Sequence, residues 1–180
     1  MDKKRVVVFA GNDTALERVE YYFPLAYKTG KLLAEAGFTV VTGGGPGLMN
    51  QVTKGAYEAS GHTIGVCLEL PGRKNSEYIR EKFSFTTLLS RQAKLISLAN
   101  GFLALPGGVG TFYEIFEVLA RKRKQEISNE KKLILIDGYF NEFKALMGKM
   151  KTEGFVATVI DSMYSQVETP EEAVEMLSQE

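Results

Sequence analysis

Short apolar, often β-branched runs alternate along the chain with longer segments whose apolar residues recur at helical spacing. Val6 to Phe9, Thr39 to Val41, Thr63 to Cys67, Phe102 to Leu105 and Leu133 to Ile136 read as buried strands. The helical pattern covers about Glu17 to Ala36, Leu48 to Ala59, Leu89 to Ala99, Thr111 to Lys124, Asn141 to Glu153 and Pro170 to Ser178. A weaker strand pattern lies near Met163 to Val167. Gly37, Gly61, Gly101 and Gly154 fall just past predicted helix ends, where a left-handed residue commonly stops the chain. Strand–helix alternation of this kind predicts an α/β fold with a mostly parallel sheet covered on both faces. Right-handed crossovers then make it a doubly wound, Rossmann-like architecture flanked by helices, with ligands expected beyond the carboxyl ends of the strands.

The 180 residues suit one domain spanning 1–180, and no stretch reads as a linker. A hydrophobic share of 44% is enough for a core. The 22 basic and 22 acidic residues cancel, so no overall field favours nucleic acid or a membrane surface as partner. Local basic clusters, Arg121 to Lys124 and Lys131-Lys132, read as solvated ends of elements. Cys67 stands alone, which rules out a disulfide or a thiolate cluster within one chain. The apolar run after Met1-Asp2-Lys3-Lys4-Arg5 is too short for a signal peptide or a span, and a cytoplasmic location is the expectation.

The unusual sequence lies in two glycine-rich turns, each directly after a predicted strand and leading into a helix. The first is Thr42-Gly43-Gly44-Gly45-Pro46-Gly47-Leu48-Met49, and the second is Pro106-Gly107-Gly108-Val109-Gly110-Thr111. Glycine lets the backbone turn sharply and lets a ligand approach bare amides. The helix start adds unpaired N–H groups and partial positive charge, so the pair predicts two anion-binding mouths side by side.

Several chemistries lack their residues. No G-x-x-x-x-G-K-[ST] is present, so no lysine follows a loop to serve a triphosphate. Gly11-Asn12-Asp13 after the first strand is not G-x-G-x-x-G, and no acidic residue ends the second strand for a dinucleotide ribose. A serine elbow is missing too, no metal-ligand cluster is evident, and His62 reads as structural. The chemical candidates that remain are Glu114 and Arg91. Thr111-x-x-Glu114 fits a capping box, in which the two side chains satisfy backbone donors at the helix start. Alternatively, Glu114 faces the loop's ligand, where a carboxylate suits glycoside chemistry as positive charge grows on the sugar. Arg91, early in the helix before the Phe102 strand, is placed to reach a phosphate or a departing base.

Gly43-Gly44-Gly45-Pro46-Gly47-Leu48-Met49 together with Pro106-Gly107-Gly108-Val109-Gly110-Thr111-Phe112-Tyr113-Glu114 resembles the paired signature of the LOG (Lonely Guy) family, G-G-G-x-x-G-x-M with P-G-G-x-G-T-x-x-E. The similarity runs from Val6 to roughly Val156 and takes in Asp137-Gly138-Tyr139 and Glu153-Gly154-Phe155. Members are often labelled possible lysine decarboxylases, although nothing here marks a lysine as a pyridoxal phosphate anchor. The resemblance implies a phosphoribohydrolase that splits a nucleoside 5'-monophosphate, AMP or a cytokinin riboside monophosphate, into free base and ribose 5-phosphate. It implies Glu114 and Arg91 as catalytic residues, with no cofactor and no metal. Phosphate would be held by Gly107, Gly108, Val109, Gly110 and Thr111, while Gly43, Gly44, Gly45, Gly47 and Met49 shape the nucleotide pocket. A homodimer or higher oligomer is implied as well. Two positions depart from the pattern: Gln92 stands where the family has a lysine, and Tyr113 where relatives often have an acid. Glu69-Leu70-Pro71-Gly72-Arg73-Lys74-Asn75 resembles the E-L-P stretch of one subgroup, with a different continuation. The competing readings are a non-catalytic carrier of a nucleotide or of a pterin phosphate such as molybdenum cofactor, and a purely structural Rossmann-like subunit.

Overall fold

Five of the seven strands observed coincide with the apolar runs. The computed structural model describes residues 4–179. Its strands are β1 (Arg5–Phe9), β2 (Thr39–Thr42), β3 (Thr63–Leu68), β4 (Glu81–Phe85), β5 (Gly101–Ala104), β6 (Leu133–Ile136) and β7 (Ser165–Val167). The helices are α1 (Val19–Glu35), α2 (Leu48–Glu58), α3 (Leu88–Leu98), α4 (Val109–Arg123), α5 (Asn141–Thr152) and α6 (Pro170–Ser178). The strands form one sheet in the order β4-β3-β2-β1-β5-β6-β7, and every neighbouring pair is parallel. This is the expected α/β, Rossmann-like doubly wound arrangement. The chain winds outward from β1 through β4, then returns to the other side of β1 for β5. The reversal between β1 and β5 opens a crevice at the carboxyl ends of those strands.

Helices cover both faces, which is why the inner strands read as continuous apolar runs rather than alternating ones. Val6 and Val8 of β1 pack with Leu33 of α1, Val52 of α2 and Leu177 of α6. Val7 and Phe9 face the other way, among Leu95 of α3, Val118 of α4 and Phe143 of α5.

Four expectations need correction. β4 was not expected, because Glu81 and Lys82 carry charge and only Phe83 and Phe85 reach the core. Two half-buried phenylalanines on one face, with exposed residues between, leave a thin signal. At the end of α2 the left-handed residue is Ser60 (φ 61), not Gly61, whereas Gly37 and Gly154 do adopt it. Gly101 opens β5 instead of closing a helix. Helix α1 is preceded by a separate 3-10 turn over Leu16–Arg18, which the helical pattern had merged with it.

Helices α1 and α2 cross at backbone contact, and two glycines allow it. A Cβ on Gly30 would lie 1.9 Å from the Val52 carbonyl oxygen, and one on Gly55 would lie 2.0 Å from that of Tyr27. Helix propensity alone favours alanine over glycine by about 1 kcal/mol, so the sign of the effect is diagnostic. Gly30→Ala and Gly55→Ala should each destabilise the fold by about 1–3 kcal/mol through overpacking, measured as a lowered urea midpoint. A stabilised Gly30→Ala protein would mean that the helices are free to separate.

Candidate functional site

A cavity of about 390 Å³ opens in the crevice between β1 and β5. Its floor is the turn after β1, Gly11-Asn12-Asp13, and one wall is the start of α4 with Gly108, Gly110 and Thr111. Met49 of α2, Arg73 and Arg91 line it as well. The two glycine loops are therefore not adjacent: they follow β2 and β5, with β1 and its turn between them.

Arg91 and Glu114 meet inside this cavity. Arg91 is the fourth residue of α3, whose start is capped by the Thr87 side chain accepting from the Ser90 amide. The guanidinium is buried: Nε donates to the Val66 carbonyl at 2.9 Å, and Nη1 lies 3.3 Å from Glu114 Oε1. The two residues are only 8% and 7% exposed. Burial pushes the Glu114 carboxyl up to about 7, with the Arg91 charge and hydrogen bond pulling in the opposite direction and the Glu117 charge adding to the rise. Near neutral pH this carboxyl is poised between its acid and its base, the state suited to moving a proton.

The capping-box reading of Thr111 and Glu114 is not what forms. Helix α4 begins at Val109 after Gly108, which leaves Thr111 as its third residue and Glu114 in the second turn. No side chain caps this helix. The first turn therefore keeps free amides at Val109, Gly110 and Thr111, beside the cavity. Glu114, released from capping, turns to Arg91 instead.

The remaining glycines work by making room. A Cβ on Gly43 would meet Arg91 Nη2 at 1.9 Å, and one on Gly45 would meet Arg73 Nη2 at 2.2 Å. Gly44 packs on Cys67 and Ile79, away from the cavity, and Gly47 (φ 65) packs on the Asn12 carbonyl. Of the first loop only Met49 lines the cavity. In the second, Gly107 is pressed against Thr111 and Gly11, and the Val109 side chain is 89% exposed, pointing away.

A chain of hydrogen bonds holds the second loop from behind. Tyr21 donates to Asp137 Oδ2 at 2.5 Å, and the Tyr139 amide donates to Asp137 Oδ1 at 2.7 Å. The Tyr139 hydroxyl donates to the Gly107 carbonyl at 2.7 Å. Asp137 sits at φ 90, ψ 149, a backbone conformation that is costly for any residue but glycine. The hydrogen bond to Asp137, followed by burial, pushes the Tyr21 phenol up to about 12. Tyr139 thus occupies the loop's carbonyl from outside while the α4 amides face in.

Asn12, Asp13 and Arg73 went unnoticed as lining residues. The signal available for the first two was a polar turn at the carboxyl end of the central strand. Arg73 had none, since its loop has no helical or strand period. Gln92 is fully buried with neither amide atom hydrogen-bonded, and it does not line the cavity; nor does Tyr113, which is 43% exposed. His62 hydrogen-bonds Glu81 at the surface, far along the sheet from this site. Among the described residues no group of three His, Cys, Asp or Glu could hold a metal, and no helix is long and apolar enough to cross a membrane.

The family model described as possible lysine decarboxylase matches residues 49–177. A probable cytokinin riboside 5'-monophosphate phosphoribohydrolase of Oryza sativa subsp. japonica is 30% identical over 98% of this chain and 72% of its own length. A cytokinin riboside 5'-monophosphate phosphoribohydrolase of the same plant is 31% identical over 86% of this chain and 64% of its own. Among solved structures, a molybdenum cofactor binding protein from Rippkaea orientalis superposes with a TM-score of 0.75 at 22% identity, covering 98% of this chain and 96% of that one. At that identity the likeness speaks for the fold.

The Glu114 environment makes a prediction about stability. The carboxyl binds its proton more tightly in the folded chain, at about 7, than in the unfolded chain, near 4.5. The stabilisation that protonation brings is thus present below pH 4.5 and lost as pH rises toward 7. Relative to Glu114→Gln, the parent should lose up to roughly 3 kcal/mol of stability between pH 4 and pH 8. Urea midpoints across that range measure it, and a constant gap would mean that Arg91 keeps Glu114 ionised throughout.

Proposed function

The chain belongs to the family described as possible lysine decarboxylase, the LOG family, and from that premise we propose that it is a phosphoribohydrolase. Its substrate in this reading is a nucleoside 5'-monophosphate, AMP or a cytokinin riboside monophosphate, and its products are the free base and ribose 5-phosphate. The observation that carries the reading is the buried contact of Arg91 with Glu114, 3.3 Å, in the same cavity as the uncapped start of α4.

The 5'-phosphate is held by the free amides of the Gly108 to Thr111 turn, where the helix dipole favours an anion. That anchorage sets the anomeric carbon over Glu114, about one turn further along α4. As the bond from C1' to the base nitrogen breaks, positive charge grows on the sugar, and the Glu114 carboxylate stabilises it. Water adds its oxygen to C1' and gives a proton to Glu114, and the departing base takes up a proton in turn. Arg91 keeps the carboxylate oriented and balances its charge. Phosphate binding energy, remote from the broken bond, drives the positioning. Lysine decarboxylation has no support in this cavity, which is lined by no lysine.

The same reading includes a homodimer. Leu88, Leu89, Val109 and Tyr113 lie exposed at the starts of α3 and α4, on either side of the cavity mouth. Apolar groups gathered in this way suit an interface. The carrier reading predicts nucleotide binding without base release.

Purified protein should release free base from AMP or isopentenyladenosine monophosphate, and Glu114→Ala should lower the rate by at least about 100-fold while nucleotide binding persists. Because the ionised carboxylate is the active form, the rate should climb with pH through about 7 and level off above it. Binding of nucleotide with no base release by the parent would put the carrier reading in place of this one.

A further inference from the structure

Arg73 is a cation with no counter-ion among the described residues. It lies in the loop between β3 and β4, and that loop is tied down by the Ser76 amide donating to the Gly44 carbonyl at 2.9 Å. The Arg73 side chain reaches across the first glycine loop. Its Nη2 donates to Asn12 Oδ1 at 3.1 Å, and its Nε is buried with no hydrogen-bond partner. Among the described residues no carboxylate lies within ion-pairing distance of it. Asp13 acts on it only from further away, and the neighbouring Arg91 charge opposes it. Asn12 is itself oriented, donating through Nδ2 to Asp13 at 3.2 Å.

Such an arrangement costs free energy. Part of a guanidinium leaves water, a second guanidinium stands nearby, and the compensating partner is an amide oxygen with no charge. Gly45 is shaped to permit it, since any side chain there would meet Arg73 Nη2 at 2.2 Å. Gly43 does the same for Arg91. Alternate glycines of one loop therefore seat two arginines in a cavity that the open amide turn of α4 also lines. The one carboxylate paired to either arginine is Glu114, which is poised to become neutral. Asp13 is the other carboxylate of the lining and is engaged by Asn12, so two guanidiniums still face the cavity without a carboxylate at Arg73, and the planar fork of an arginine suits a phosphate.

We propose that Arg73 is the phosphate-selecting residue of this cavity: seated on Gly45 and aimed by Asn12, it pairs with the substrate's 5'-phosphate from the side facing the α4 amides. The inference rests on the phosphoribohydrolase reading for the identity of the substrate, but not for the anion itself. The α4 amides hold the phosphate as uncharged donors, from which a sugar hydroxyl can also accept. A guanidinium adds two charge-assisted hydrogen bonds that only the phosphorylated ligand can accept. Arg73 thereby sets the preference for nucleoside monophosphate over nucleoside.

The test is calorimetric titration of the full chain with ribose 5-phosphate, which carries the phosphate and no base. Arg73→Met should weaken ribose 5-phosphate binding by about 10- to 100-fold, and Arg73→Lys should recover part of the loss as a point charge. The ratio of kcat/KM for AMP to that for adenosine should fall by at least tenfold in Arg73→Met. Ribose 5-phosphate binding within twofold of the parent in both variants would overturn the proposal. An equal loss of kcat/KM for adenosine and AMP would overturn it too, since Arg73 would then hold sugar or base. So would a parent that binds no ribose 5-phosphate. Should Arg73→Met fail to fold, Arg73→Lys and Asn12→Ala carry the measurement, Asn12→Ala weakening ribose 5-phosphate binding by several-fold. If the parent releases no base from any nucleotide while ribose 5-phosphate binding still depends on Arg73, the hydrolase reading fails and this one stands.

Discussion

Arg91 and Glu114 are taken out of water together, and a buried charge that loses its partner costs about 3–5 kcal/mol. That constraint reaches through the elements around the crevice. The guanidinium needs the Val66 carbonyl within β3, a glycine at 43 beneath it, and α3 capped at Thr87 so that the fourth residue points inward. The carboxylate needs α4 to start at Val109 with nothing capping it. The same uncapped start is what leaves amides free for an anion. One ion pair thus couples the position of α3, the length of α4 and the shape of the first glycine loop.

The second glycine loop is held by a different kind of force. Asp137 accepts a strained backbone, and its carboxylate is bonded to Tyr21 of α1 and to the Tyr139 amide. Strain of this sort costs roughly 1–3 kcal/mol and persists where neighbours over-determine it. Its outcome is a tyrosine hydroxyl on the Gly107 carbonyl. With that acceptor engaged from behind, the loop presents donors to the cavity. One helix thus carries free amides in its first turn and a buried acid in its second.

Family membership and fold limit the chemistry without choosing it. Relatives at about 30% identity carry phosphoribohydrolase names, while a fold neighbour at 22% identity is a molybdenum cofactor binding protein. Both kinds of protein are compatible with glycine turns around an anion. In this chain the cavity holds one acid, Glu114, that is buried, paired and shifted toward neutrality.

Much of this was legible in the residues. The continuous apolar runs of β1, β2, β3, β5 and β6 belong to strands buried on both faces, so burial itself wrote the pattern. β4 has one half-buried face and one exposed face, and it escaped notice for that reason. The glycine turns were visible because backbone freedom has one residue type that supplies it. Side-chain pairing has no such marker, and the motif Thr-x-x-Glu shows why. It occurs at Thr169 to Glu172, where it forms a capping box at the start of α6. It occurs again at Thr111 to Glu114, where helix α4 begins earlier and the glutamate pairs with an arginine 23 residues back in the chain. Local sequence set which residues could cap or pair. Only the seating of α3 and α4 on the same face of the sheet, which brings a buried cation within reach of one glutamate and not the other, decided between them, because the energy of an unpaired buried charge exceeds that of a cap.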